Sequence, residues 1–160
     1  MSASFRPATT ADEPTLLELM RELYRHERMA WDERAARAAL HGVLADPSLG
    51  RGVLIELDGA VAGYLVVCFG WSLEFQGRDA FVDEIYVREG FRGRGFGTRA
   101  LEIAAELCRA NGVRALHLEV ERRNTRAQAV YRKAGFVDRE HYLMTRRLAP
   151  AGEPGDGRAD

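Results

Sequence analysis

The chain is poor in cysteine, lysine, histidine and long apolar runs. Its two cysteines, Cys68 and Cys108, lie far apart in apolar segments and form no C-x-x-C pair. That argues against a disulfide-stapled scaffold or a dithiol redox motif, and for buried free thiols in a reducing compartment. The four histidines, at 26, 41, 117 and 141, lack metal-ligand spacing, so no metal site is expected. The longest apolar run, VAGYLVVCFGW (61–71), is too short to span a bilayer. The N-terminal MSASFRPATTADE has no apolar signal core. A cytoplasmic protein without a membrane partner is the expectation. Lys133 is the only lysine, which reads as coding bias. The formal net charge of -1 excludes a chain that coats nucleic acid or an anionic surface.

What is present fits one globular domain. The 160 residues are 46% hydrophobic, enough for a sizeable core. SFRPA (4–8) reads as a first strand. T-A-D-E (10–13) matches a capping box with Thr10 as cap and Glu13 as its partner. Leu16, Leu19, Met20 and Leu23 then recur at helical spacing, predicting a helix over 11–27. A second helix is expected from about Asp32 to Ala45. Asp58-Gly59 between apolar runs predicts a hairpin of strands 52–57 and 60–71, and Gly63 suggests a bulge. FVDEIYV (81–87) is a fourth strand, 96–111 a helix closed by Asn111-Gly112, and VRALHLEV (113–120) a fifth strand. That βαβ unit makes the fourth and fifth strands parallel neighbours. A helix over 124–134 stops at Gly135, and FVDRE with HYLMTRRL predicts a final hairpin. The domain spans 4–148, and the Pro/Gly-rich tail 149–160 is expected to be disordered. The fold class is mixed α/β: a mostly antiparallel sheet with one parallel crossover.

FRGRGFGTRA (91–100) holds three glycines and three arginines between a strand and a helix. Such a loop suits an anion at a helix start. A Walker loop is excluded, because Gly90-x4-Gly95 is followed by Phe96-Gly97 rather than Lys and a hydroxyl. Residues 95–100 fit the dinucleotide pattern G-x-G-x-x-A, with Glu119 and Glu121 near the ribose-acid position. Against it, Arg88 to Arg94 separate the strand from Gly95, and the chain has only one βαβ unit. The third reading is R-x-x-G-x-G, Arg92, Gly95 and Gly97, with the N–H groups of 93–98 facing a pyrophosphate.

In that third reading, FVDEIYVREGFRGRGFGTRAL resembles the coenzyme A motif of the GNAT superfamily of N-acetyltransferases. N-T-R-A-Q-A-V-Y-R-K-A-G-F (124–136) is similar to the family's second motif, N-x-x-A-x-x-x-Y-x-x-x-G-F. From the residues alone, Asn124 is a helix N-cap, and Tyr131 lies two turns further on the same face. The resemblance covers about residues 4–148 and implies a GNAT-like fold with helices on both sheet faces. It implies acetyl-CoA as co-substrate, its pantetheine arm against Ile85, Tyr86 and Val87, and its pyrophosphate on Arg92, Gly93, Arg94, Gly95, Phe96, Gly97 and Thr98. It implies that Asn124 orients the arm, that Tyr131 protonates the leaving thiolate, and that the protein is a homodimer.

The chemistry so implied is attack of an amine on a thioester. It needs a base for the amine, an oxyanion donor, for which a backbone N–H of the fourth strand serves, and a proton for the thiolate. Asp83 and Glu84 are the candidate bases. Adjacent on a regular strand, they should point to opposite faces. Diamine acetyltransferases, which this strand resembles, carry an acid at the position of Asp83. LYRHERM (23–29) and the 71–79 connection loosely resemble the same enzymes. They offer Tyr24, His26, Glu27, Trp71, Glu74 and Phe75 to a cationic acceptor. The expected activity is N-acetylation of a small primary amine, diamine-like or amino-acid-like, in a ternary complex. Acetylation of a protein N-terminus, a non-catalytic acyl-CoA sensor and an NAD(P)-dependent oxidoreductase are the alternatives.

Overall fold

The structure, a computed structural model, describes residues 3–148; the tail expected over 149–160 lies outside the described residues. Five strands, β1 (Ala3–Pro7), β2 (Gly50–Leu57), β3 (Ala60–Ser72), β4 (Gly77–Val87) and β5 (Ala115–His117), form one sheet in chain order. All neighbouring pairs are antiparallel except β4 and β5. Helices α1 (Glu13–His26) and α2 (Glu33–Ala45) cover one face. Helices α3 (Phe96–Ala110) and α4 (Thr125–Lys133) lie on the other.

The sheet is central because β3 is apolar on both sides. Leu65 and Val67 pack toward α3, whereas Tyr64 and Val66 pack toward α1 and α2. A strand covered on both faces reads as a continuous apolar run, and 61–69 does. The β2–β3 turn follows the sequence: Asp58 and Gly59 both have positive φ, 49° and 83°, which matches the twist a two-residue hairpin requires.

Several boundaries differ from expectation. The box at the first helix is formed by Thr9 and Asp12, not Thr10 and Glu13. Arg6 grips both oxygens of Asp12, at 3.0 and 2.8 Å, and Asp12 accepts the Thr9 N–H at 2.9 Å. A 3-10 turn over Thr10–Asp12 therefore precedes α1, and Glu13 instead meets His41 at 2.6 Å. The bulge between β2 and β3 falls at Ala62, one residue before Gly63. The hairpin expected over 136–148 is not formed; no strand follows α4 among the described residues. β5 is three residues long rather than eight, because β4 leaves it after Phe81.

Gly63 has a separate reason to be glycine. A Cβ there would lie 2.1 Å from the Tyr86 carbonyl oxygen and 3.0 Å from the Val87 Cα. Both are backbone atoms of β4 and cannot swing aside. Gly63→Ala is expected to cost about 1–3 kcal/mol through overpacking, read as a lower urea midpoint. An unchanged midpoint would mean that β4 can shift away from β3.

Candidate functional site

β4 pairs with β5 only at Asp79, Ala80 and Phe81. Among the described residues no strand lies beside its second edge from Val82 to Val87, so the sheet opens into a gap. The opening coincides with an irregularity: Val67 faces Val82 and Val66 faces Glu84, leaving Asp83 as an extra residue on β4. A bulge breaks the alternation of side chains. Asp83 and Glu84 consequently line the same cleft instead of pointing to opposite faces.

Two clefts flank the gap. The first, about 540 Å³, is bounded by Ile85, Tyr86 and Val87 of β4, by the loop and first turn of α3, and by Asn124, Arg126, Ala127, Val130 and Tyr131 of α4. Of the loop, Arg92, Gly93, Gly95, Phe96, Gly97 and Thr98 line it; Arg94 does not. The second, about 430 Å³, runs from Tyr24 past Asp83 and Glu84 to Glu119 and Glu121. Leu23, Glu27, Ile85, Asn124 and Tyr131 border both. His26 lines the first cleft only. Trp71, 75% exposed, and Glu74, paired with Arg139, sit at the far β3–β4 turn and border neither.

The first cleft gathers unpaired donors and positive helix ends. Among the described residues, the N–H groups of Gly93 through Thr98 donate to no backbone carbonyl. No side chain caps α3, whose N-cap Gly95 is left-handed at φ 83°. Helices α1 and α2 carry Glu13 and Glu33 in their first turns, but α3 and α4 carry no acid there. Both positive helix ends thus border the cleft without an acid, and that of α3 also without a cap. A Cβ on Gly97 would meet nothing within 4 Å; the open space above it is what a closely approaching phosphate requires. Asn124 caps α4 by accepting the Ala127 N–H at 3.1 Å.

The second cleft is acidic. Five acidic residues border it, Glu27, Asp83, Glu84, Glu119 and Glu121, and among the described residues no Lys, Arg or His does, although Glu121 pairs with Arg123 at 3.1 Å. Glu84 accepts the hydroxyl of fully buried Tyr64 at 2.7 Å. Burial pushes the Glu84 carboxyl above the usual range, with the Asp83 charge adding, while the Tyr64 bond pulls the other way. Burial likewise raises Asp83. The Tyr24 phenol is pushed up to about 12, first by burial and then by Glu84. Burial, helped by Glu27, raises Tyr131, so its hydroxyl keeps its proton at neutral pH. Arg88 fixes α1 over this region: its Nε and Nη2 donate to Glu22, Nη2 donates to Glu18 at 2.6 Å, and Nη1 donates to the Val61 carbonyl. The thiols of Cys68 and Cys108 are pushed up to about 11, chiefly by burial, and line neither cleft. Neither is suited to be a nucleophile.

Sequence reasoning missed Tyr64 and Arg126. Tyr64 was the one hydroxyl in the apolar run 61–69, and a buried phenol needs a partner. Arg126 was a cation in a helix first turn, where the dipole disfavours it.

Residues 15–136 match the acetyltransferase (GNAT) family. The L-methionine sulfoximine/L-methionine sulfone acetyltransferase of Pseudomonas aeruginosa is 30% identical over 141 residues, covering 85% of this chain and 81% of that protein. The thialysine N-epsilon-acetyltransferase of Bos taurus is 29% identical over 145 residues, covering 83% of each. Among solved structures, an integron cassette protein from the mobile metagenome of Cole Harbour Salt Marsh superposes with a TM-score of 0.83. It is 37% identical, and 91% of each chain is covered.

The raised Glu84 carboxyl has a consequence for stability. Its folded pKa exceeds its unfolded one, so the native state holds the proton more tightly. The stability this contributes is complete below the unfolded pKa and is lost as pH rises through the folded value. Glu84→Gln removes that loss. The variant is expected to melt higher than wild type near neutral pH, with the gap closing as pH falls toward about 4. Equal melting temperatures throughout that range would show that Tyr64 fully compensates the buried charge.

Proposed function

The chain belongs to the acetyltransferase (GNAT) family and is an acetyl-CoA-dependent N-acetyltransferase; we propose that it acetylates a primary amine of a small, multiply cationic molecule of the diamine type. The observation that carries this reading is the acidic cleft. Five acidic residues border it, of which Glu121 is paired with Arg123; this excess of negative charge attracts ammonium groups and repels a free carboxylate, which an amino-acid acceptor would bring. The proposal places the protein in the cytoplasm as a homodimer. The free thiols of Cys68 and Cys108 suit that compartment.

When bound, acetyl-CoA supplies an activated acetyl group as a thioester. Its pyrophosphate would take the free N–H groups of 93–98, and the amides of its arm would pair with the unpartnered edge of Ile85 to Val87. Glu84 and Asp83 line the acceptor cleft with carboxyl pKa values raised by desolvation, which makes them stronger bases for taking a proton from an ammonium, directly or through water. The amine then attacks in a ternary complex. A β4 backbone N–H beside the bulge serves as oxyanion donor. Tyr131, protonated and bordering both clefts, donates to the departing sulfur. Asn124 borders both clefts beside it and steadies the arm. Trp71 and Glu74 have no part in this reading.

The test is thiol release from acetyl-CoA with a panel of diamines, amino acids, aminoglycosides and N-terminal peptides, with melting recorded in acetyl-CoA and in NAD. Diamines are expected to turn over fastest. Preference for amino acids would overturn the acceptor class, and protection by acetyl-CoA without any turnover would favour a sensor. Tyr131→Phe is expected to lower kcat about 10²-fold while the KM for acetyl-CoA changes less than about twofold. A matching rise in KM would assign Tyr131 to binding rather than proton transfer.

A further inference from the structure

The loop's arginines look from the sequence like the cations that neutralise the coenzyme's phosphates, yet all three are engaged within the protein. Arg92 donates from Nε to the Val87 carbonyl at 2.8 Å, and its guanidinium lies 5.6 Å from the Tyr86 ring centre. Arg94 lies over Phe91 at 5.9 Å and does not line the cleft. Arg99 pairs with Glu102 at 2.8 Å and with Glu106 at 3.3 Å. The loop therefore offers chiefly N–H dipoles, together with whatever Arg92 can spare.

The opposite wall carries an uncommitted cation. Arg126 lines the first cleft from the first turn of α4. Among the described residues it makes no ion pair, hydrogen bond or ring contact. Its position costs stability, because a cation opposes the positive end of its own helix. The other basic groups on this cleft are His26, at the end of α1, and the engaged Arg92.

We propose that Arg126 binds a phosphate of acetyl-CoA from the α4 wall, facing the N–H cradle, and supplies the principal charge-assisted contact to the coenzyme. This rests on the acetyl-CoA reading above. The chemistry on the page is that of a phosphate dianion or diester held by a guanidinium. Two groups of the coenzyme offer it, the pyrophosphate and the ribose 3′-phosphate. The contact makes Arg126 a selectivity residue for phosphorylated over unphosphorylated thioesters, and it leaves the acetyl-transfer step untouched.

The experiment is calorimetric titration of the full chain with acetyl-CoA and with acetyl-dephospho-CoA, which lacks the 3′-phosphate. Wild type, Arg126→Gln, Arg126→Lys and Arg123→Gln are compared. Arg123 removes the same charge nearby, without lining the cleft. Arg126→Gln is expected to bind acetyl-CoA about tenfold more weakly, with Arg126→Lys intermediate and Arg123→Gln within about twofold of wild type. The unliganded Arg126→Gln protein should melt at or above wild type, since the cation no longer opposes the dipole. If the loss disappears with acetyl-dephospho-CoA, the contact is to the ribose phosphate; if it persists, to the pyrophosphate; both support the proposal. Unchanged binding by Arg126→Gln, or an equal loss in Arg123→Gln, would overturn it. Wild type that binds no acetyl-CoA would instead overturn the coenzyme reading itself.

Discussion

Three residue pairs, Asp79–Ala115, Ala80–Leu116 and Phe81–His117, are all that join β4 to β5. His117 closes the junction: its ring meets Phe75 at 5.2 Å and Phe81 at 5.0 Å, and its Nε2 lies 3.4 Å from Asp79. Past this point the extra residue Asp83 bends β4 away, and the rest of the strand keeps only β3 as a partner. That side must then hold β4 alone. Gly63 allows it, because the missing Cβ lets the Tyr86 and Val87 backbone press against β3. The gap, its exposed backbone edge and the facing of Asp83 and Glu84 into one cleft all descend from this early end of the parallel ladder.

The gap divides two electrostatic environments. On the loop side, two helix N-termini without acids, six unpaired N–H groups and Arg126 collect positive potential. On the β5 side, five carboxylates collect negative potential. Tyr131 stands where the two meet, neutral because it is buried. An anionic co-substrate and a cationic acceptor would be drawn from opposite sides to one side chain. The arrangement has a cost. Desolvation raises the carboxyls of Asp83 and Glu84, which costs stability as pH rises through their folded pKa values and makes each a stronger base.

Helix α1 connects the two environments. It contributes Leu23 to both clefts and Tyr24 to the acidic one, and Glu27, its C-cap, borders both. Its seat is set by Arg88, which follows β4 directly and grips Glu18 and Glu22 while donating to the Val61 carbonyl. The strand that borders both clefts thus ends beside the residue that holds α1 over them.

The sequence by itself determined the helices, the Asp58-Gly59 hairpin, the parallel crossover and both motifs. Each is local: a period, a cap, a turn dipeptide, or a loop between a strand and a helix. The placement of Tyr131 and Asn124 on one helix, and of the 93–98 loop at the start of another, was legible for that reason. The tertiary structure alone decided what depends on register and on packing between distant segments. The bulge that brings Asp83 and Glu84 to one side is such a feature, since a strand pattern by itself implies regular alternation. So is the grip of Arg6 on Asp12, which moved the helix start past Thr10. The absence of the 136–148 hairpin follows the same logic. An alternating pattern forms strands only beside a free and straight edge, and β5 ends after three residues. Arg126 belongs here as well. Its charge was visible in the sequence, but that it lines the anion cleft while the loop's own arginines turn to other partners was set by how α4 packs across from α3.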